Sequence, residues 1–379
     1  MFLLVCNKSI TCFTKISFPT LLLLILHYKM QPKHIYILLA LLTIIVLLNS
    51  FVEDNPYFVI TEKDVEFKIP KGFPKTVYDF KKNKVTPEGF VLGRKLFYDP
   101  ILSLDSSTSC SSCHQRIAAF AHIDHPLSHG INGLIGKRNV PAIQNEIWQQ
   151  NFMWDGGVNH LDVHPFAPLT SAVEMAETLQ HVIFKLSRNK DYREQFKNTF
   201  QDSIITSEKM SKAISQFVGM MISSNSRYDN YMRGTEKLTD KEVAGLKLFR
   251  SHCKNCHKEP LFTDNSFRNI GLKPDTSLKD KGRESITGLP SDYMKFKVPS
   301  LRNVEMTYPY MHDGRFKNLQ QVLNHYANGN FYTTNFDSSI VRNIGLRDNE
   351  KEEIILFLKT LTDKTFLYDR RFADPNYNQ

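Results

Sequence analysis

Six cysteines in 379 residues are too few for a disulfide-stapled fold, and Cys6 and Cys12 lie in the extreme N-terminal segment. The other four are consumed by two short motifs, so none remains for a bridge. Tryptophan occurs only at Trp148 and Trp154. Alternating strand patterns are rare, Val65 to Ile69 being a short exception, which argues against a sheet-based architecture. The formal charge is +9, yet Lys and Arg are scattered among acids with no run of one sign. That scatter speaks against nucleic acid as a partner and for a mildly basic surface suited to an acidic redox protein.

The two motifs are Cys110-Ser111-Ser112-Cys113-His114 and Cys253-Lys254-Asn255-Cys256-His257. Two thiols at this spacing can attach to the vinyl groups of one haem while the adjacent histidine ligates the iron. Paired cysteines also serve redox dithiols and zinc sites. A histidine directly after the second cysteine, found twice, favours two covalent c-type haems over either.

Haem attachment to free thiols requires export. Lys33 and His34 precede an apolar run from Ile35 to Leu48, the charged-then-apolar order of a secretory signal, with Met30 as the expected start. The run is short for a spanning helix, but Phe51 and Val52 extend it, so a cleaved signal and an uncleaved anchor both stay open. Residues 1–50 are read as leader, and the location as periplasmic, soluble or tethered.

Hydrophobic residues at 41 % and aromatics at 12 % supply cores enough for two domains around cofactors. Helical spacing dominates: Met210, Ile214, Phe217 and Met221 form one stripe, and Ile354, Leu358 and Leu361 another. Gly93-Arg94-Lys95-Leu96-Phe97 before the first motif is echoed by Gly245-Leu246-Lys247-Leu248-Phe249 before the second. The expected fold is all-α, with two cytochrome c-like haem domains over 51–233 and 234–379, meeting near Arg233-Gly234-Thr235. Long loops are expected from Ile123 to Pro141 and from Pro274 to Pro290.

The order of landmarks is more specific than either motif. Leu96-Phe97-Tyr98-Asp99-Pro100, the first motif, Arg138-Asn139-Val140-Pro141, Trp154-Asp155-Gly156 and Pro168 to Met175 are followed by the second motif, Pro299 to Val304 and Pro309 to Gly314. This resembles the bacterial di-haem cytochrome c peroxidase family, including its MauG-like enzymes, over roughly Lys63 to Asp363. The resemblance implies a peroxide-reactive N-terminal haem on His114 and an electron-relaying C-terminal haem on His257. It implies that Glu174 is the acid/base group for O–O cleavage, although a lone Glu is more often a solvated charge at a helix start. It makes Pro168 a distal-pocket residue, Trp154 a bridge between haems, and Asn139, Thr307 and Pro309 the ligands of one calcium ion. His164 stands where relatives usually carry Gln, either as a group that bonds peroxide or shuttles a proton, or as pocket wall.

Two departures matter. Where many relatives close the first haem with a histidine the chain has Ile131, which implies an open iron; His125 and His129 are nearby substitutes. Where peroxidases place a methionine on the second haem the chain has Tyr326, as MauG-like enzymes do, with Met311 and His325 as alternative ligands. His312 is expected near the haems without ligating them. The expected activity is reduction of hydrogen peroxide with electrons from a small cytochrome c or similar periplasmic donor. A MauG-like oxidase acting on aromatic residues of a protein and a non-catalytic electron carrier are the alternatives. No nucleic acid is involved, and a homodimer is admissible.

Overall fold

The computed structural model of the chain describes residues 33–34, 59–328, 332–333, 335–337 and 344–376. Contacts divide the chain into Met1–Val59 and Ile60–Gln379. The expected leader lies outside the described residues, apart from exposed Lys33 and His34. No described helix is long and apolar enough to cross a membrane.

The second unit is mostly helical. Helix α1 (Pro87–Tyr98) starts where the Thr86 hydroxyl accepts from Gly89 N at 3.1 Å, with Pro87 in the first helical position where its missing N–H costs nothing. The first motif itself forms the single turn α2 (Cys110–Cys113). Then come α3 (Phe166–Thr170), α4 (Leu179–Arg188), α5 (Lys190–Phe200), α6 (Ser207–Gly219) and α7 (Arg227–Met232). Helix α8 (Asp240–His252) begins with a reciprocal Thr239–Glu242 capping box and runs straight into Cys253. Four helices follow, α9 (Glu284–Thr287), α10 (Leu319–Asn328), α11 (Asp348–Lys359) and α12 (Lys364–Leu367). The sheet among the described residues is one antiparallel pair, β1 (Phe267–Arg268) with β2 (Phe296–Lys297).

The helical content agrees with the expected fold class, but Val65 to Ile69 is not a strand. Thr61 N donates to the Asp64 carboxylate at 2.9 Å, and this local bond draws Glu62–Val65 into a 3-10 turn. The loop expected from Pro274 to Pro290 contains α9, whereas Ile123 to Pro141 holds only a 3-10 turn, Ile131–Gly133. Gly234 turns the chain after α7 with φ +75°.

The repeated Gly-x-x-Leu-Phe marks two equivalent helix crossings. A Cβ on Gly93 of α1 would meet the carbonyl of Ala213 on α6, and one on Gly245 of α8 would meet the carbonyl of Glu353 on α11. The Phe four residues later is buried at both crossings: Phe97 packs on Phe217 with ring centroids 5.3 Å apart, and Phe249 on Phe357 at 5.0 Å. Buried residues accordingly fall into two clusters. One holds Phe90, Phe97, Phe120, Met210, Ile214, Phe217 and Met221; the other holds Tyr228, Phe249, Phe262, Ile354, Leu358 and Leu361. Both sequence stripes are therefore core stripes. Phe366, Leu367 and Phe372, far along the chain, belong to the first cluster.

Arg302, fully buried, pairs with Asp229 at 2.7 Å and lies over the Phe73 ring. Against the upward pull of burial, that guanidinium holds the Asp229 carboxyl below the usual carboxylate range.

The crossings give a direct expectation. Gly93→Ala and Gly245→Ala each force two helices apart and should each cost about 1–3 kcal/mol, the range for overpacking a tight contact. Thermal unfolding of the haem-loaded protein measures this; an unchanged midpoint for both variants would contradict the packing.

Candidate functional site

Both motifs place their histidines alike. His114 Nδ1 lies 2.7 Å from Phe120 O, and His257 Nδ1 lies 3.0 Å from Phe262 O. A carbonyl only accepts, so Nδ1 carries the proton and Nε2 is left with a free lone pair, the tautomer an axial ligand needs. Burial lowers the proton affinity of both imidazoles, opposed at His114 by Phe120 O and the field of Glu146 and at His257 by Phe262 O, the field of Asp264 and Pro299 O. Burial also pushes the Cys110 and Cys253 thiols up to about 12. The matching Nδ1 bonds of the two histidines are the geometry that fits a c-type haem at each motif. None of the four motif cysteines is in a disulfide.

Beside the first motif lies a cavity of about 440 Å³. Cys110, Cys113 and His114 line it together with His164, Pro168 and Glu174, while Trp154 and Asn139 contribute a further stretch of wall. Residues 64 positions apart in sequence, such as Cys110 and Glu174, thus share one chamber. Most of the exposed wall is apolar, as a macrocycle requires, with polar side chains such as Ser128, Glu146, His164 and Glu174 set into it.

Glu174 sits in a turn after α3, not at a helix start, with its N–H donating to Ser171 O at 3.1 Å. The loop that carries Ile131 docks on it: Ile131 N donates to Glu174 O at 2.8 Å. Gly130 is required here, because a Cβ would strike the Val173 and Glu174 backbone. Burial raises the Glu174 pKa above the ordinary carboxylate value, while hydrogen bonds from the Ser171 and Ser128 hydroxyls and the field of His164 oppose it. Ser128 was not legible as a site residue; it lies 46 positions away on the docked loop. Of the two substitute histidines, His129 lines the cavity and its carbonyl accepts from the Cys113 thiol at 3.3 Å. His125 instead stacks on buried His122 with ring centroids 4.1 Å apart.

Asn139 is a junction. Its carbonyl accepts from Trp154 Nε1 at 2.8 Å, its N–H donates to His312 O at 2.7 Å, and its amide nitrogen donates to the carbonyls of His125 and Pro126. Trp154 O accepts from Lys297 N at 2.7 Å, which ties the indole segment to β2. His312 is buried and stacked on Phe296 with ring centroids 3.8 Å apart. Thr307 bonds to Val304 O at 3.4 Å. Among the described residues no group of three or more His, Cys, Asp or Glu side chains could hold a metal ion.

At the second motif, Tyr326 on α10 lies within the electrostatic reach of Cys253 and Cys256. Burial, then those two thiols, push its phenol well above the ordinary tyrosine value. His325 spends Nε2 on Ile270 O at 2.9 Å, so that nitrogen is engaged elsewhere. Met311 holds a turn with φ +74°.

A family model described as di-haem cytochrome c peroxidase matches residues 87–237. Cytochrome c551 peroxidase of Nitrosomonas europaea is 32 % identical over 286 residues, which is 73 % of this chain and 82 % of that protein. The chain belongs to the di-haem cytochrome c peroxidase family. Methylamine utilization protein MauG of Methylorubrum extorquens is 30 % identical over 298 residues, 76 % of this chain and 82 % of the relative. The crystal structure of a MauG-like protein associated with microbial copper homeostasis superposes with a TM-score of 0.76 at 31 % identity, covering 82 % of this chain and 99 % of that one. Membership in this di-haem family implies two c-type haems, in accord with the two motifs.

The purified protein should therefore carry two haems per chain, and Cys253→Ala with Cys256→Ala should remove one while the other keeps its spectrum. A pyridine haemochrome assay against protein mass checks this, and a full complement in the double variant would contradict attachment at the second motif.

Proposed function

We propose that the chain is an exported di-haem peroxidase that reduces hydrogen peroxide to water with electrons from a small c-type cytochrome or a similar periplasmic donor. The observation that carries this reading is the shared cavity, in which Glu174 and His114 line a single chamber. Bound haem would supply the iron that takes up peroxide and the redox equivalents for breaking its O–O bond. Cys110 and Cys113 would hold one haem with His114 as its ligand, and Cys253 and Cys256 the other with His257 and Tyr326.

The balance of the reaction is one peroxide, two electrons and two protons to two waters. Glu174 takes the proton of one peroxide oxygen and returns it to the departing one. Its carboxylate is aimed by the docked Gly130–Ile131 loop, and Pro168 closes the wall beside it. Ile131 offers no lone pair and would leave the first iron open. Electrons enter at the His257 site in the domain over 234–379 and reach the domain over 51–233 by way of Trp154, whose segment is bonded to both Asn139 and Lys297. Asn139, Thr307 and Pro309 would hold a calcium ion through oxygen atoms.

A MauG-like oxidase that modifies aromatic residues of a protein is the second reading, favoured by the placement of Tyr326. Tyr326 would be the ligand of the second haem in that reading, its oxygen losing its proton to ferric iron against the upward pull of its surroundings and lowering the potential.

Glu174→Gln should lower peroxide turnover by about 10²–10⁴-fold with haem spectra intact. An unchanged rate would remove Glu174 from the chemistry. Because burial raises its pKa and the ionised form is the proton acceptor, kcat/KM should fall as pH drops through a value above the ordinary carboxylate range. The Gln variant should lack that acid limb. Tyr326→Met should raise the reduction potential of one haem in a spectroelectrochemical titration; two unmoved potentials would rule the phenol out as a ligand.

A further inference from the structure

Glu146 is an acid in an otherwise apolar and amide stretch, Ala142-Ile143-Gln144-Asn145-Glu146-Ile147-Trp148, and it is only 4 % exposed. Its Oε2 lies 3.2 Å from His164 Nδ1. Both residues line the cavity next to the first motif. An ionised carboxylate can only accept, so Nδ1 carries the proton and the other ring nitrogen of a neutral His164 is an acceptor.

The pair is held from several sides. Asn145, with φ +57°, exchanges two bonds with Ser223, its amide nitrogen donating to Ser223 O at 3.0 Å and its oxygen accepting from Ser223 N at 2.9 Å. Ile147 O accepts from Val77 N and Tyr78 N, which fixes the same turn. The His164 ring stacks on Phe152 with centroids 4.9 Å apart, and the His164 backbone N–H donates to His160 O and Leu161 O at 3.1 Å. The charged and titratable groups around the pair are Glu174 and His114, each within the field of His164, and Lys297. Lys297 Nζ bonds to Gln149 Oε1 and Asn151 O, and its charge interacts with Glu146.

We propose that Glu146 and His164 form a second proton-handling pair facing the peroxide cavity, with His164 as the group that meets the reacting oxygen and Glu146 as its positioning residue. The inference rests on the peroxidase reading and deepens it. The transfer through Glu174 is internal to peroxide and nets no proton, yet each turnover consumes two from solvent along with two donor electrons. His164 takes one of these on its free ring nitrogen, forming an imidazolium beside the Glu146 carboxylate, and passes it to the oxygen that becomes the second water. The other proton reaches that oxygen directly from solvent. A carboxylate behind a histidine fixes the tautomer and stabilises the imidazolium, which an isolated ring would lack.

The test uses the di-haem protein and cyanide as a probe alongside peroxide. Cyanide enters as HCN and leaves its proton on a group in the cavity, so its association with ferric haem reads the cavity's bases without turnover. Glu146→Gln and His164→Gln should each slow cyanide association and peroxide reduction by roughly 10- to 100-fold, the range for losing such a partner. The double variant should be no slower than the slower single one, Glu146→Asp should recover part of the rate, and the ferric spectrum should stay unchanged. A Glu146→Gln protein with wild-type rates and an unshifted pH profile would overturn the pair. So would a His164→Gln protein that turns from low-spin to high-spin, which would make His164 an iron ligand. If Glu174→Gln abolishes peroxide reduction while both pair variants are silent, the pair fails and the peroxidase reading stands. If the protein reduces no peroxide yet binds cyanide through the pair, the peroxidase reading fails alone.

Discussion

The hydrogen bond from Ile131 N to Glu174 O, made where Gly130 lies flat against the same backbone, is the constraint on which the candidate site depends. Glu174 belongs to a short turn with no helix to fix it, so its direction comes from what is docked on it. The docked loop also brings Ser128 to the Glu174 carboxyl and His129 to the cavity wall. One backbone contact therefore ties the loop beside the attachment turn, which carries His129 near Cys113, to the carboxylate across the cavity. A bulkier residue at 130 would push Glu174 away from its place without touching any ionisable group.

Electrostatics divides the groups around the motifs by how burial treats each of them. It keeps the imidazoles neutral and the thiols protonated, and it raises the Glu174 carboxyl. A single physical cause thus suits attachment, ligation and proton transfer at once, because neutral ligands and an easily protonated acid are what an apolar chamber favours. Where charge must persist, the structure pairs it, as with Arg302 and Asp229 or Arg138 between Asp155 and Asp280. The Arg302–Asp229 and Arg138–Asp280 pairs join segments 73 and 142 positions apart in sequence.

Legibility in the sequence followed the range of the interaction. The attachment motifs were readable because their chemistry is complete within five residues, and the core stripes because a helix repeats every few residues. The Gly-x-x-Leu-Phe repeat was visible, but its reason, a carbonyl of another helix against each glycine, lies 108 to 120 positions away in sequence. Glu174, Trp154 and Asn139 came to notice through the family resemblance; nothing local marks them. Nothing local marks Glu146 either, because its partner His164 stands 18 positions on, across an irregular segment with no period to align them. Val65 to Ile69 misled for the opposite reason, since a Thr61–Asp64 bond just before it outweighs an alternating pattern.

The central claim is that one haem, on His114, has an open face toward Glu174. Low-temperature electron paramagnetic resonance of the fully ferric di-haem protein tests it most directly. The account predicts that about half of the iron is high-spin and that this signal alone changes when fluoride, a ligand of open ferric haem, is added. Two low-spin signals, both indifferent to fluoride, would mean that a protein side chain closes the first iron, and the account would be wrong.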